Sequence, residues 1–244
     1  VTQYAKAPIT EALIDIQVRS SKDLSLAELE KLSVLGGDDY HLAKPLYRAR
    51  VSAQVDDAEN ISAEATKTQR GWAFANVAKV QVWQAKLDGF TFSRLAPYEA
   101  WEPFRAEARR LWNVYREATQ PEEITRIAVR YINRLDFPLP FGDFKEYLRA
   151  TPEIPPELPQ LLAGYFFQFF LPQEDVGAML ALTQGLVAPV LPDHASVVLD
   201  IDLFRENDVP ADENMLWDLL ERFREKKDAV FEACITEKTR RLIR

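Results

Sequence analysis

The sequence predicts an α+β protein: antiparallel sheet with long helices gathered on one face. Three observations lead there. Apolar residues alternate with polar ones in several short runs, as in half-buried strands. Two long segments carry apolar residues three and four positions apart, as in amphipathic helices. The order strand, short helix, several strands, long helix occurs twice, once in residues 1–121 and once in 122–244. Such an order packs economically as an antiparallel sheet with helices on one side. By analogy of order alone, the two halves suggest a TATA-box-binding-like saddle or a helix-grip-like barrel.

The first strand is expected at Ala12–Arg19, with Ala12, Ile14, Ile16 and Val18 on one face. A helix over Leu24–Val34 follows, with Ser25 as its cap and Glu28 three residues on, and Gly36-Gly37 ends it. Strands are expected near Tyr47–Val55, Trp72–Asn76 and Lys79–Leu87. Asp88-Gly89 then predicts a two-residue type I′ turn into Phe90–Leu95. Trp101, Phe104, Ala108, Leu111, Trp112 and Tyr115 form the aromatic face of a long helix starting near Tyr98 and closed by Pro121.

In the second half, Ile124–Phe137 reads as a strand and Phe141–Leu148 as a short helix. Pro152, Pro155, Pro156 and Pro159 mark an irregular crossing. Tyr165–Leu171, Ala178–Leu186 and Val197–Phe204 read as strands. Tyr165-Phe166-Phe167-Gln168-Phe169-Phe170 puts aromatics on both faces, which suits a strand buried between layers better than a ligand cavity or a dimer seam. A terminal helix presents Leu216, Leu219, Leu220, Phe223, Val230, Phe231, Cys234 and Ile235 on one face.

Composition narrows the function. The chain of 244 residues holds only 2 His, 1 Cys and 8 Gly. Those soft ligands are too few for a four-ligand Cys/His zinc site. Gly-x-Gly-x-x-Gly, Walker-type loops, His-Glu-x-x-His and Gly-x-Ser-x-Gly are all lacking, so no cofactor is expected. His41 and His194 sit in predicted loops, and Cys234 falls on an apolar helix stripe as a structural thiol. Residues 1–121 balance their charges, and the whole net charge of −8 falls on 122–244. An acidic chain argues against nucleic acid as a partner. No apolar run approaches a membrane span. The opening residues Val1 to Lys6 show neither an apolar leader nor an initiator Met, so a processed start and a cytoplasmic protein are expected.

Four stretches carry a resemblance. Pro8-Ile9-Thr10-Glu11-Ala12-Leu13-Ile14-Asp15-Ile16, Phe90-Thr91-Phe92-Ser93-Arg94-Leu95 with Tyr98 and Trp101, Arg130-Tyr131-Ile132-Asn133-Arg134-Leu135-Asp136, and Asp200-Ile201-Asp202 together resemble a sporadically distributed, functionally unassigned bacterial protein family. The resemblance implies a bacterial protein and carries no activity, cofactor or site residue with it.

The strand Ile124–Asp136 is the most unusual segment. Arg126, Arg130 and Arg134 share one face with Ala128, Ile132 and Asp136. Ile127, Val129, Tyr131 and Leu135 share the other, broken by Asn133. Unopposed, the arginines would form an anion-binding comb whose planar forks suit phosphate or carboxylate. Opposed by Glu11, Asp15, Asp200 and Asp202, they form a cross-strand ladder, the preferred reading. The candidate binding residues are therefore Arg126, Arg130, Arg134, Tyr131, Asn133, Asp15, Asp200 and Asp202, in a binding or regulatory protein that receives a protein partner or small anionic ligand; a homodimer is compatible with this. The alternative is a metal-assisted enzyme acting on a phosphate-containing substrate, with the arginines as clamp and Asp15, Asp200 and Asp202 around a divalent ion.

Overall fold

The computed structural model describes residues 4–20, 24–37, 39–40, 42–55 and 61–244. It is an α+β fold. Its strands are β1 (Ile9–Ser20), β2 (Leu42–Val55), β3 (Ile61–Ala75), β4 (Gln81–Lys86), β5 (Gly89–Leu95), β6 (Pro121–Pro138), β7 (Phe166–Gln173), β8 (Ala178–Val187) and β9 (His194–Arg205). The helices are α1 (Leu26–Leu35), α2 (Trp101–Thr119), α3 (Glu213–Cys234) and α4 (Glu237–Ile243). Hydrogen bonds link the strands into an antiparallel sheet in the order β2-β3-β4-β5-β1-β6-β9-β8-β7. None of the described helices is long and apolar enough to cross a membrane. The chain divides into two compact units, one of residues 16–92 and 101–123, the other of 1–15, 93–100 and 124–244.

In the first of these, α1 has the Ser25 cap the sequence assigns and starts just after it at Leu26, not at the expected Leu24. Ser25 Oγ accepts from Glu28 N at 3.2 Å, and the Glu28 carboxylate accepts from Ser25 N at 2.9 Å. These reciprocal bonds satisfy two of the amides that a helix start leaves unpaired. Gly37, at φ 96°, supplies the left-handed residue beyond the helix end. The aromatic stripe of α2 is buried as its spacing predicts. Phe104 stacks on Phe92 at 5.3 Å, Trp112 meets Phe90 edge-on at 5.8 Å, and the Tyr115 hydroxyl donates to Lys86 O at 2.9 Å. That last bond lets a phenol sit in the core without an orphaned donor.

Three expectations change here. The β4–β5 hairpin forms, but its turn falls on Leu87 and Asp88, and Gly89 is the first residue of β5 without a positive φ. Glycine is required there for a different reason: a Cβ would lie 2.7 Å from Ile16 O on β1. The strand expected at Trp72–Asn76 extends back to Ile61, because β2 and β3 pair over their full lengths from Leu42↔Ala75 to Val55↔Ile61. Pro121 opens β6 rather than closing a module, after Gln120 turns the chain at φ 45°.

The second unit is built on β6. Ile127, Val129, Tyr131, Asn133, Leu135 and Phe137 are buried on one face, with Tyr131 beneath Lys227 of α3 and Phe137 stacked on Tyr147. β6 pairs with β9 from Ile127↔Arg205 to Pro138↔His194, and β9 with β8 from Met179↔Phe204 to Val187↔Ser196. Asp212 caps α3 by accepting from Met215 N at 2.9 Å. Leu216, Leu219, Leu220, Phe223, Phe231 and Cys234 are buried on this helix as expected, together with Lys227.

The terminal helix, expected as one piece, ends at Cys234. Ile235 forms an isolated antiparallel bridge with Leu148, Arg149 N donates to Cys234 O at 2.9 Å, and Thr236 N donates to Tyr147 O at 3.0 Å. The same bridge explains why the short helix expected at Phe141–Leu148 contracts to one 3₁₀ turn, Phe144–Glu146: Leu148 is drawn into pairing with Ile235. Tyr165–Leu171, expected in the core, is corrected too. β7 ends the strand order, and Phe166, Phe169 and Phe170 are exposed.

Candidate functional site

Three adjacent strands, β1, β6 and β9, present the charged side chains together. On β6 the alternation that buries Tyr131 turns Arg126, Arg130 and Arg134 to the opposite face. The β9 acids follow the same period, with Asp202 opposite Arg130 and Asp200 opposite Ile132. Arg130 reaches past Asp202, its direct neighbour, to Asp200.

Arg130 makes the strongest contact. Its Nε and Nη2 donate to the two carboxylate oxygens of Asp200 at 2.9 and 2.5 Å. A bidentate fork of this kind fixes both groups in orientation as well as in charge. Arg126 bridges two strands, with Nη1 at 3.2 Å from Asp15 on β1 and Nη2 at 3.3 Å from Asp202 on β9. Its Nε lies 3.5 Å from Glu206, and its guanidinium rests 4.7 Å above the Phe204 ring. Arg134 donates to Asp136 at 3.2 Å, to Ser196 Oγ at 3.0 Å and to the Ala188 carbonyl at 2.7 Å. Ser196 closes that group by donating to Asp136.

Arg126 and Arg130 are therefore opposed by acids of neighbouring strands, while Arg134 pairs with Asp136 of its own strand, so the face is an internally paired ladder rather than an open comb. Its balance is negative: Asp15, Asp136, Asp200, Asp202 and Glu206 surround three guanidiniums. The Arg130 side chain keeps 40% of its surface exposed, against 11% for Asp200 and 16% for Arg126. Burial pushes the Asp202 carboxyl pKa up. Arg126 and Arg130 pull against that shift, while Asp200 and Asp15 add to it. Among the described residues, the buried Asp202 Oδ1 has no hydrogen-bond partner.

Tyr131 and Asn133 are not part of this array. Both lie on the other face of β6 at 1% and 2% exposure. Asn133 Nδ2 donates to Leu199 O at 3.1 Å, and the Tyr131 and Tyr98 hydroxyls share a bond of 2.7 Å. The Lys227 ammonium sits 3.8 Å above the Tyr131 ring and pairs with Asp228. Burial lowers the Lys227 pKa, with Asp228 opposing the shift, and raises that of Tyr131 well above the phenol range. The Lys227 position carried a legible signal, since it stands four residues from both Phe223 and Phe231 on the apolar stripe.

Among the described residues no group of three or more His, Cys, Asp and Glu is placed to hold a metal ion. Asp15, Asp200 and Asp202 each face an arginine instead. His194 opens β9, its Nδ1 2.8 Å from Pro192 O. His41 lies outside the described residues. Cys234 is buried, and desolvation pushes its thiol up to about 11, which suppresses the reactive thiolate. An open groove of about 930 Å³ runs between residues 145–153 and β7, with Lys145 and Arg149 on one side and Phe167 and Phe169 on the other. Lys145 is paired with Glu153 at 3.2 Å, and Arg149 donates to the Ile235 carbonyl at 3.2 Å. Compared with known proteins, the chain matches no family model, no curated protein and no solved structure.

Proposed function

We propose that this chain is a binding or regulatory protein that receives a protein partner on the charged sheet face formed by Arg126, Arg130 and Arg134 with Asp15, Asp200 and Asp202. The observation that carries this reading is the Arg130–Asp200 fork. Arg130 is pre-ordered by two charge-assisted bonds and still offers surface to a partner. An arginine held in place before binding loses little further freedom on contact, and arginines of this kind concentrate affinity at interfaces. The excess of carboxylates favours a partner with basic groups over a small anion. The same reading places the protein in the bacterial cytoplasm, within the family resembled by the Arg130–Asp136 motif. It takes 1–121 and 122–244 as two similar halves of a TATA-box-binding-like or helix-grip-like fold, supported by their shared order of elements.

The test is capture from a bacterial lysate with immobilised protein. Arg130→Ala loses the captured partner while the thermal transition remains cooperative. Arg130→Ala/Asp200→Ala removes both charges, restores most of the stability and still fails to capture. Equal capture by wild type and both variants overturns the reading. The unpartnered Asp202 Oδ1 is the one observation that favours the alternative, a metal-assisted enzyme on a phosphate-containing substrate. Calorimetry with Mg²⁺ and Mn²⁺ decides it: no heat of binding, and no change in melting with chelator, rejects it.

A further inference from the structure

Strand β7 pairs with β8 on one side and, among the described residues, with no strand on the other. Successive residues of an antiparallel strand aim their N–H and C=O groups alternately at the two neighbours. Leu186 N donates to Tyr165 O at 3.0 Å, in register with Phe166↔Gly185 and Phe167↔Gln184. The odd-numbered residues of β7 thus bond to β8, and Phe166, Gln168, Phe170 and Pro172 turn their backbone outward. The strand Phe-Phe-Gln-Phe-Phe-Leu-Pro-Gln holds no charged residue. Phe166 is 73% exposed, Phe170 59%, Phe169 45% and Leu171 41%. Sheet edges are ordinarily protected by charges, bulges or covering segments, and Pro172 is the only such device here.

We propose that β7 is a homodimer seam, pairing antiparallel with β7 of a second copy of this chain about a two-fold axis at Gln168. The backbone selects that axis. It sets Phe166 against Phe170 of the other copy and Gln168 against Gln168, so all three outward N–H groups meet outward carbonyls. Axes shifted toward the C-terminal end put Pro172, which has no N–H, in a bonded position. On the other side of the strand the same register sets Phe167 against Phe169 of the other copy, covering rings that border the groove described above.

The pattern of the strand points to a second copy over a foreign strand. A two-fold seam must complement itself, and the aromatic–Gln–aromatic run centred on Gln168 reads the same from either copy. Each chain carries a net −8, which opposes association elsewhere on the surface, and the neutral strand is where two copies can meet without opposing like charges. At 150–250 Å² per buried aromatic, the exposed parts of Phe166, Phe169, Phe170 and Leu171 supply about 400 Å² of apolar surface per copy. The pair then lies at the small end of specific interfaces, so the dimer is weak and concentration-dependent. Through the register Phe170↔Ala181, Ala181↔Asp202 and Asp202↔Arg130, the sheet would continue from one arginine ladder to that of the other copy. The seam stands whether or not the ladder binds a partner.

Sedimentation velocity on the full chain, from about 2 to 200 μM, tests it. Wild type should move from monomer toward dimer across that range. Gln168→Lys, which opposes two ammonium groups on the axis, should stay monomeric with little change in melting temperature, because the side chain is exposed and gives up only its solvent-facing bond to Thr183 Oγ1. Register is read by oxidative cross-linking. Bonded pairs hold their Cα atoms about 5.5 Å apart, within disulfide reach, so Gln168→Cys should form a covalent dimer. Phe166→Cys should not, since its copies would be offset by about 13 Å along the strand. A wild type that stays monomeric throughout, a dimer that survives Gln168→Lys, or equal cross-linking by Phe166→Cys overturns the proposal. So does a monomer whose β7 instead captures a strand of another protein.

Discussion

Removing Arg130 and removing Asp200 break the same two hydrogen bonds, and the structure predicts unequal costs. Arg130→Ala strands a carboxylate whose side chain is 11% exposed and whose ion-pair partner among the described residues is Arg130. Leaving a buried charge without its partner costs about 3–5 kcal/mol. Asp200→Ala frees a guanidinium that is 40% exposed and can hydrate in place, so its cost is that of a mostly solvated pair, about 1 kcal/mol. The double variant leaves no orphaned charge and should fall near the Asp200 variant, well short of the sum of the two. At about 2–4 °C per kcal/mol for a chain of this length, Arg130→Ala lowers the melting temperature by roughly 6–20 °C, and the other two by roughly 2–4 °C. Circular dichroism melts and urea titrations at pH 7 measure all three. Equal losses for the two single variants, or a double variant as unstable as their sum, would refute the argument, because either shows the pair to be as solvated at Asp200 as at Arg130.

Lys227→Met should raise stability at neutral pH by about 1 kcal/mol, because Asp228 keeps Arg224 at 3.3 Å and the relief from burying an ammonium is only partly offset by its lost contact with the Tyr131 ring. The sign with pH follows from burial. The Lys227 pKa is lowered in the fold, so between that value and the ordinary lysine value the unfolded chain binds more protons and wild-type stability climbs as pH rises. Melts at pH 7 and pH 9.5 should show the variant's advantage shrinking; a constant or growing advantage contradicts the assignment. Gly71→Ala should cost about 1–3 kcal/mol, since its Cβ would stand 2.7 Å from Lys86 Cα. A chemical denaturation curve within error of wild type would show that β3 and β4 can separate there.

Much of this fold was legible because its signals are local. The Ser25–Glu28 box and the aromatic stripe of α2 are set by neighbours in sequence, and they stand where the pattern puts them. The ladder was legible because a strand's two-residue period sends Arg126, Arg130 and Arg134 to one side whatever surrounds them. Tyr131 and Asn133 fall to the other side by the same period, so nearness in sequence to Arg130 did not bring them to the charged face. Partners distant in sequence decided the rest. β3 alternates only weakly, through Ile61, Ala63 and Ala65, has no apolar residue over Thr66–Arg70, and is a strand by its pairing with β2. The terminal helix stops at Cys234 because Leu148 bridges Ile235, a contact no helix-ending residue announces. An aromatic run such as β7 carries the same pattern in the middle of a sheet as at its edge, and only the strand order distinguishes them.

The alternation of β6 also guards the assembly of the sheet against error. A slip of one residue against β9 would send Arg126, Arg130 and Arg134 under α3 and turn Val129, Tyr131 and Leu135 out to water. Three guanidiniums would then lie in an apolar layer away from Asp15, Asp200 and Asp202, each at a cost of several kcal/mol. The misregistered strand is thereby excluded by a wide energy gap, so the ladder serves the chain as a folding checkpoint before it meets any partner.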